Sequence, residues 1–292
     1  MKLFSFDTVL KAFYAAGLCL VLAVLVTGLP YYLLQLPDRP HSDMHNQLKP
    51  AGIWGHGLGI IGTAMVLLLL LYSARKRLLM GLRFGRLRRW LDIHIFFGIM
   101  GPLLITLHTA MKFKGIVSIS YFSMLAVAFS GVFGRYVYMQ IPRDARGHAL
   151  GLDEAREHVA GIQRALVEDL NASPDAIGAI EEFASRAGAT AGSKFRGILV
   201  SLRDDLTINR RARRLRRRLT GGPNPVPKDI INQVIALARE SSILQRRVVL
   251  LESMSDLLHY WHVFHKPFAY VMLFIMVIHV GVAVAFGYTW IF

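Results

Sequence analysis

The sequence predicts an all-α integral membrane protein: a five-span helical bundle with a helical cytoplasmic insert between spans four and five. Three observations carry that prediction. The 292-residue chain is 54% hydrophobic and only 18% charged, more apolar surface than a soluble domain of this size hides behind so few charges. The charges are concentrated in some segments and nearly absent from others, the pattern of a chain that crosses lipid. Five segments reach the roughly 20 apolar residues a helix needs to cross a bilayer core. A formal charge of +15 alone would suggest a soluble nucleic-acid binder, and this composition excludes that class. The single cysteine, Cys19, excludes a disulfide scaffold, a cysteine-ligated zinc site and a cysteine-ligated iron–sulfur cluster.

The first span covers residues 10–34. It lacks a small-x-small cleavage site and ends in the interfacial sequence Leu29-Pro30-Tyr31-Tyr32, so it reads as an anchor rather than a cleaved leader. Spans two to five cover residues 52–73, 91–111, 116–141 and 264–291. Between spans two and three stand Arg75, Lys76, Arg77, Arg83, Arg86, Arg88 and Arg89 with no acid among them, whereas Asp38 and Asp43 balance Arg39 and Lys49 between spans one and two. The positive-inside rule then makes the 74–90 loop cytoplasmic. The N-terminus and the 142–262 segment share that side, and the C-terminus is periplasmic, as in a bacterial inner membrane. The expected domains are residues 1–142 (spans one to four), 143–262 (the insert) and 263–292 (span five).

The insert reads as helical throughout. Residues 152–170 have helical periodicity, and Ser173-Pro174-Asp175 resembles an N-cap with proline in the first turn. A further helix covers 194–219, stopped by Gly221-Gly222-Pro223. A last one, from Lys228, is expected to run without a break into span five. No strand alternation, internal repeat or Gly-rich phosphate loop is present, so the chain shows no dinucleotide-binding domain of its own. The run from Arg210 to Arg218 holds seven arginines. On the cytoplasmic side of a membrane protein such a helix reads first as a lipid-headgroup or solvated surface and second as a dock for an acidic redox partner, with no nucleic acid expected.

Histidine inside a span is costly and marks a functional candidate. Span three holds His94 and His108; span five holds His265 and His279; each pair is 14 residues apart. Fourteen steps of 100° return to within ~40° of the starting direction, with a rise of ~21 Å, inside a core of ~30 Å. Spans three and five run in the same direction, so His94 is expected level with His265 and His108 with His279. Facing imidazoles suit a six-coordinate haem iron. Two levels make two haems, b-type because no C-x-x-C-H attachment motif exists. Gly98 and Gly101 lie between the span-three histidines, where a flat macrocycle could approach the backbone. Bis-histidine ligation leaves no open iron position, so little oxygen or substrate chemistry is expected at such a centre. Zinc suits the pattern poorly, since ligands ~21 Å apart share no metal.

Two His–His pairs on parallel helices with glycines between them resemble the diheme core of membrane b-type cytochromes. Examples are the respiratory cytochromes b and, on spans three and five, the ferric-reductase and NADPH-oxidase transmembrane domains. The resemblance covers spans three to five and implies His94, His108, His265 and His279 as axial ligands of two haem b groups. The implied activity is electron transfer as a subunit of an oxidoreductase complex rather than as a self-contained enzyme. The long insert between spans four and five departs from the ferric-reductase pattern. The expected partners are a cytoplasmic flavoprotein or iron–sulfur protein on the basic insert, and a periplasmic c-type cytochrome or the quinone pool on the other side. The alternative is a non-redox transporter or scaffold with intramembrane histidines, which would favour broken spans or an inverted repeat.

Other residues are candidates with bland alternatives. His262 rivals His265 as the inner ligand; with His259 it otherwise forms an interfacial turn beside Tyr260 and Trp261. His56, in a glycine-rich stretch, is a third-helix ligand, a quinone contact or a hydrogen-bonded core histidine. Arg135 either snorkels or pairs with a haem propionate, and Lys112, one turn past His108, could do the same for the outer haem. His41 and His45 could bind a metal but read as loop histidines, and His148 and His158 as solvated.

Overall fold

The computed structural model describes residues 5–77, 85–141, 194–221 and 231–288, together with seven single positions between 154 and 183. Among the described residues all regular structure is helical. The helices are α1 (Phe6–Leu33), α2 (His45–Leu48), α3 (Ile53–Lys76), α4 (Leu87–His108), α5 (Ile116–Gln140), α6 (Lys194–Gly221), α7 (Ile231–Val249) and α8 (Leu251–Ala285). Five helical segments, in α1, α2–α3, α4, α5 and α8, are long and apolar enough to cross a membrane. Their outward faces are apolar: Leu33 is 75% exposed, Phe129 72% and Phe274 69%. Water penalises so large an exposed apolar area and hydrocarbon does not. Of the predicted helix over 152–170, Glu154, Glu157, Ala160 and Gly161 are described and helical; the rest of it, the Ser173 cap, His148 and His158 lie outside the described residues.

The chain forms two compact units, one of residues 1–132 with 264–292 and one of 133–263. In the first, α1 starts at Ser5, whose hydroxyl accepts from the Thr8 amide at 3.2 Å, satisfying one of the free donors of the first turn. The hairpin α3–α4 is closely packed because glycines face it. A Cβ on Gly62 would stand 2.7 Å from Ile105 Cγ1, and one on Gly101 would stand 3.3 Å from Val66 Cγ2, so neither helix could approach as closely with larger residues. Thr106 and Tyr121 hydroxyls meet at 3.1 Å between α4 and α5, and Ser120 donates to the Met272 carbonyl at 2.9 Å between α5 and α8. Val66, Tyr121, Met124, Met272 and Met276 close the space where α3, α5 and α8 meet.

Arg39, counted in the sequence as a loop charge, is only 4% exposed. Its guanidinium donates to the carbonyls of Leu34 (3.0 Å), Tyr32 (2.8 Å) and Ala110. Ala110 and Met111 both have positive φ, 46° and 58°, a conformation that disfavours residues with a side chain. The turn after α4 thereby presents the Ala110 carbonyl to Arg39. One buried cation thus ties the end of α1, the α1–α3 connection and the end of α4 together.

In the second unit α6 and α7 pack along Ile208, Ala212, Leu215 and Leu219 on one side and Ile231, Val234 and Ala238 on the other, the three-and-four spacing of an amphipathic face. The predicted unbroken run into span five is interrupted at one residue: Leu250 is a turn between α7 and α8, although Leu250 and Met254 keep their i−4 hydrogen bonds. Helix α8 begins well before residue 264. Ser253, Ser255, Asp256 and His259 lower the local hydropathy without disfavouring helix, so the apolar stretch is shorter than the helix that contains it.

Candidate functional site

All four predicted ligands lie in the first unit, His94 and His108 on α4 and His265 and His279 on α8. The histidine face of α4 is turned to α3. His94 Nδ1–H donates to the Leu69 carbonyl at 3.3 Å, and its ring sits 5.0 Å from that of Tyr72. His108 Nδ1–H donates to the Gly55 carbonyl at 2.8 Å. The seat for that imidazole is made by the missing side chain of Gly59, where a Cβ would stand 2.5 Å from His108 Nδ1. The glycine run of α3 therefore serves a histidine as well as helix packing.

On α8, His265 Nδ1 lies 2.8 Å from Ser130 Oγ, and the Ser130 hydroxyl is itself 2.9 Å from the Val127 carbonyl, to which it donates. Ser130 Oγ therefore stands within hydrogen-bond distance of both the Val127 carbonyl and His265 Nδ1. His94 and His108, both on α4, are thus held in one tautomer, with the proton on Nδ1 and the lone pair on Nε2, each set by a backbone carbonyl of α3. Histidine ligands of metals are oriented in this way.

His279 and His56 are the charged-group neighbours of His108, so α3, α4 and α8 each bring an imidazole to the same end of the unit. The Nε2 of His56 is buried and has no hydrogen-bond partner, an expensive state for a polar atom. Val66, Ile105, Met272 and Met276 fill the interval between the two histidine levels with apolar side chains. Among the described residues no group of three or more His, Cys, Asp or Glu side chains could hold a metal ion. The His45 Nδ1 meets the Tyr31 hydroxyl at 3.1 Å.

The two predicted glycines differ. Gly101 is spent on the α3 contact described above. A Cβ on Gly98 would meet nothing nearer than Leu69 Cδ2 at 4.0 Å, and one on Gly131 would meet only His265 Cε1, at 3.8 Å, so space remains beside His94 and His265. Lys112 is exposed in the turn after α4. Arg135 and His262 belong to the second unit. The Arg135 guanidinium lies 5.9 Å from the Tyr138 ring centre. His262 Nδ1–H donates to the Leu258 carbonyl at 2.7 Å, and its ring packs edge-on against Trp261. Sequence reasoning missed Ser130 and Gly59. A lone hydroxyl in an apolar span was the available signal for the first; the second was read only as packing. No known protein family, characterised protein or solved structure matches the chain.

Proposed function

We propose that this chain is a membrane b-type cytochrome. In this reading it is an electron-transfer subunit that holds one haem between His108 and His279 and another between His94 and His265. The observation that carries the reading is the shared tautomer of His94 and His108, with His265 Nδ1 held by Ser130. His94 and His108 each keep Nδ1–H on a backbone carbonyl, which leaves the lone pair on the nitrogen a haem iron takes. The open space at Gly98 and Gly131, the adjacency of His108 and His279 and the unpartnered His56 Nε2 fit a group that completes this region. The spans are continuous helices, including those that contain Pro30, Pro102 and Pro267, which favours a rigid scaffold over the broken spans of a transporter.

Bound haem supplies one-electron chemistry at iron. The chain's own contribution is to fix imidazole orientation from α3 carbonyls, to keep an apolar layer between the two levels and to place those levels at opposite depths of the bilayer. The His94 level is then cytoplasmic and the His108 level periplasmic. A flavoprotein or iron–sulfur protein serves one side, and a c-type cytochrome or quinone the other.

The test is the purified chain in detergent. A pyridine haemochrome assay is expected to give two b haems per chain, with a reduced-minus-oxidised spectrum to match. A colourless, iron-free preparation that retains its helicity would end the proposal. Ser130→Ala is expected to retain both haems but raise the midpoint potential of one. Without the serine oxygen beside its Nδ1, His265 donates less electron density and the ferric form loses stability. A tenfold loss in ferric affinity corresponds to about 59 mV for one electron. Redox titration of the two α-bands measures it, and an unmoved pair of potentials would show Ser130 to be structural only.

A further inference from the structure

The α6 helix carries a face that the rest of its unit does not cover. Its buried side packs on α7, and its opposite side is divided along its length. Leu199, Leu202 and Leu206 are 67%, 40% and 79% exposed, and one turn beyond them the same side continues as Arg210, Arg213 and Arg217, all exposed. At 100° per residue these six lie within about 60° of one meridian. Arg211 and Arg218 are off it and already engaged: Arg211 with the Phe183 carbonyl and Asp204, Arg218 with Glu182 at 2.8 Å. The meridian carries the three leucines in its first half, with exposed Arg203 beside them, and is cationic in its second.

We propose that this face is an anionic-lipid docking surface, with the leucines entering the acyl boundary and the arginines taking headgroup phosphates. Exposed leucines cost free energy in water and gain in lipid, and a row of arginines beside them selects negatively charged headgroups. An acidic protein surface would match the arginines but would give the three leucines nothing to bury against. In sequence the helix lies between two candidate spans, α5 and α8, so both ends of its segment are tethered to a bilayer and its effective concentration there is high. The division along the axis makes a specific geometry: the Leu199–Leu206 half lies deeper than the Arg217 end.

The experiment uses the full chain with Cys19, its one cysteine, replaced as Cys19→Ser. Spin labels are placed singly at Leu206→Cys and Arg217→Cys. The protein is reconstituted into phosphatidylcholine vesicles with and without phosphatidylglycerol. With anionic lipid, the label at 206 is expected to collide with oxygen and be shielded from a water-soluble nickel chelate, while the label at 217 stays accessible to the chelate. Arg210→Gln, Arg213→Gln and Arg217→Gln combined are expected to weaken the lipid-inserted state of the 206 label about a hundredfold, near fivefold per arginine, with helicity unchanged. High salt should act in the same direction. A 206 label open to the chelate in both vesicle types overturns the proposal, as does one protected only when an acidic protein is added. Neither outcome bears on the haem reading, whose test is the pigment itself.

Discussion

His108→Ala and His279→Ala are each expected to remove the same haem, halving the pyridine haemochrome yield and leaving one b-type centre intact. His94→Ala and His265→Ala should remove the other. His279 lies close enough to His108 to act on it electrostatically, and His108 has its Nδ1 committed to Gly55, so its remaining nitrogen has no substitute within the α4 turn. In the haem reading an alanine would leave the group with one protein ligand and an unfilled space in an apolar bundle, which would be expensive without a replacement ligand. His56→Ala separates the readings for the third imidazole. Both haems persist if His56 only lines the region, and the His108-level haem is lost if His56 is the axial ligand. Gly59→Ala is a finer probe, because its Cβ would stand 2.5 Å from His108 Nδ1. It should displace the imidazole and shift or lose the same haem. If the His108 and His265 variants lost a haem in common, the parallel pairing would be wrong.

The histidine pattern was legible because helical periodicity is local: 14 residues return to the same face wherever the helix lies. What that face touches is not local. Gly98 and Gly101 read alike in sequence, yet Gly101 packs against Gly62 and Val66 whereas Gly98 has open space. The difference depends on how α3 lies across α4. The partners that orient the rings were equally hidden, because Leu69 and Gly55 act through backbone carbonyls, which every residue carries. The burial of two cations was hidden for one reason. Arg39 was counted as a loop charge and Arg246 was not singled out, but each is nearly inaccessible and donates to a backbone carbonyl from another part of the chain. For Arg246 a signal existed. It falls on the stripe that runs through Val234, Ala238 and Ser242, and a charge on an apolar stripe of an amphipathic helix asks for a buried partner.

Arg246 is the residue on which the second unit most depends, and Arg246→Ala is expected to loosen it by about 3 kcal/mol, near the low end for breaking a buried ion pair. The side chain is 2% exposed. It donates to the Ser201 carbonyl at 3.3 Å, pairs with Asp205 and lies 3.8 Å from Asp204. Asp205 in turn accepts from the Tyr136 hydroxyl at 3.1 Å and from Gln140 Nε2 at 3.3 Å, so the end of α5, α6 and α7 converge on one carboxylate. Removing the guanidinium strands that carboxylate among neutral donors and leaves a cavity. The low end applies because the Asp205 side chain is 38% exposed and water can reach it. Hydrogen exchange on the full chain measures the effect: α6 and α7 amides should lose about a hundredfold in protection while those of α3 and α4 are unchanged. Adding Asp205→Asn to Arg246→Ala should recover part of the loss, because the stranded charge goes with it. Equal losses in the single and double variants would mean that Arg246 acts by filling volume, and unchanged exchange in both would mean that the buried pair contributes nothing to the unit.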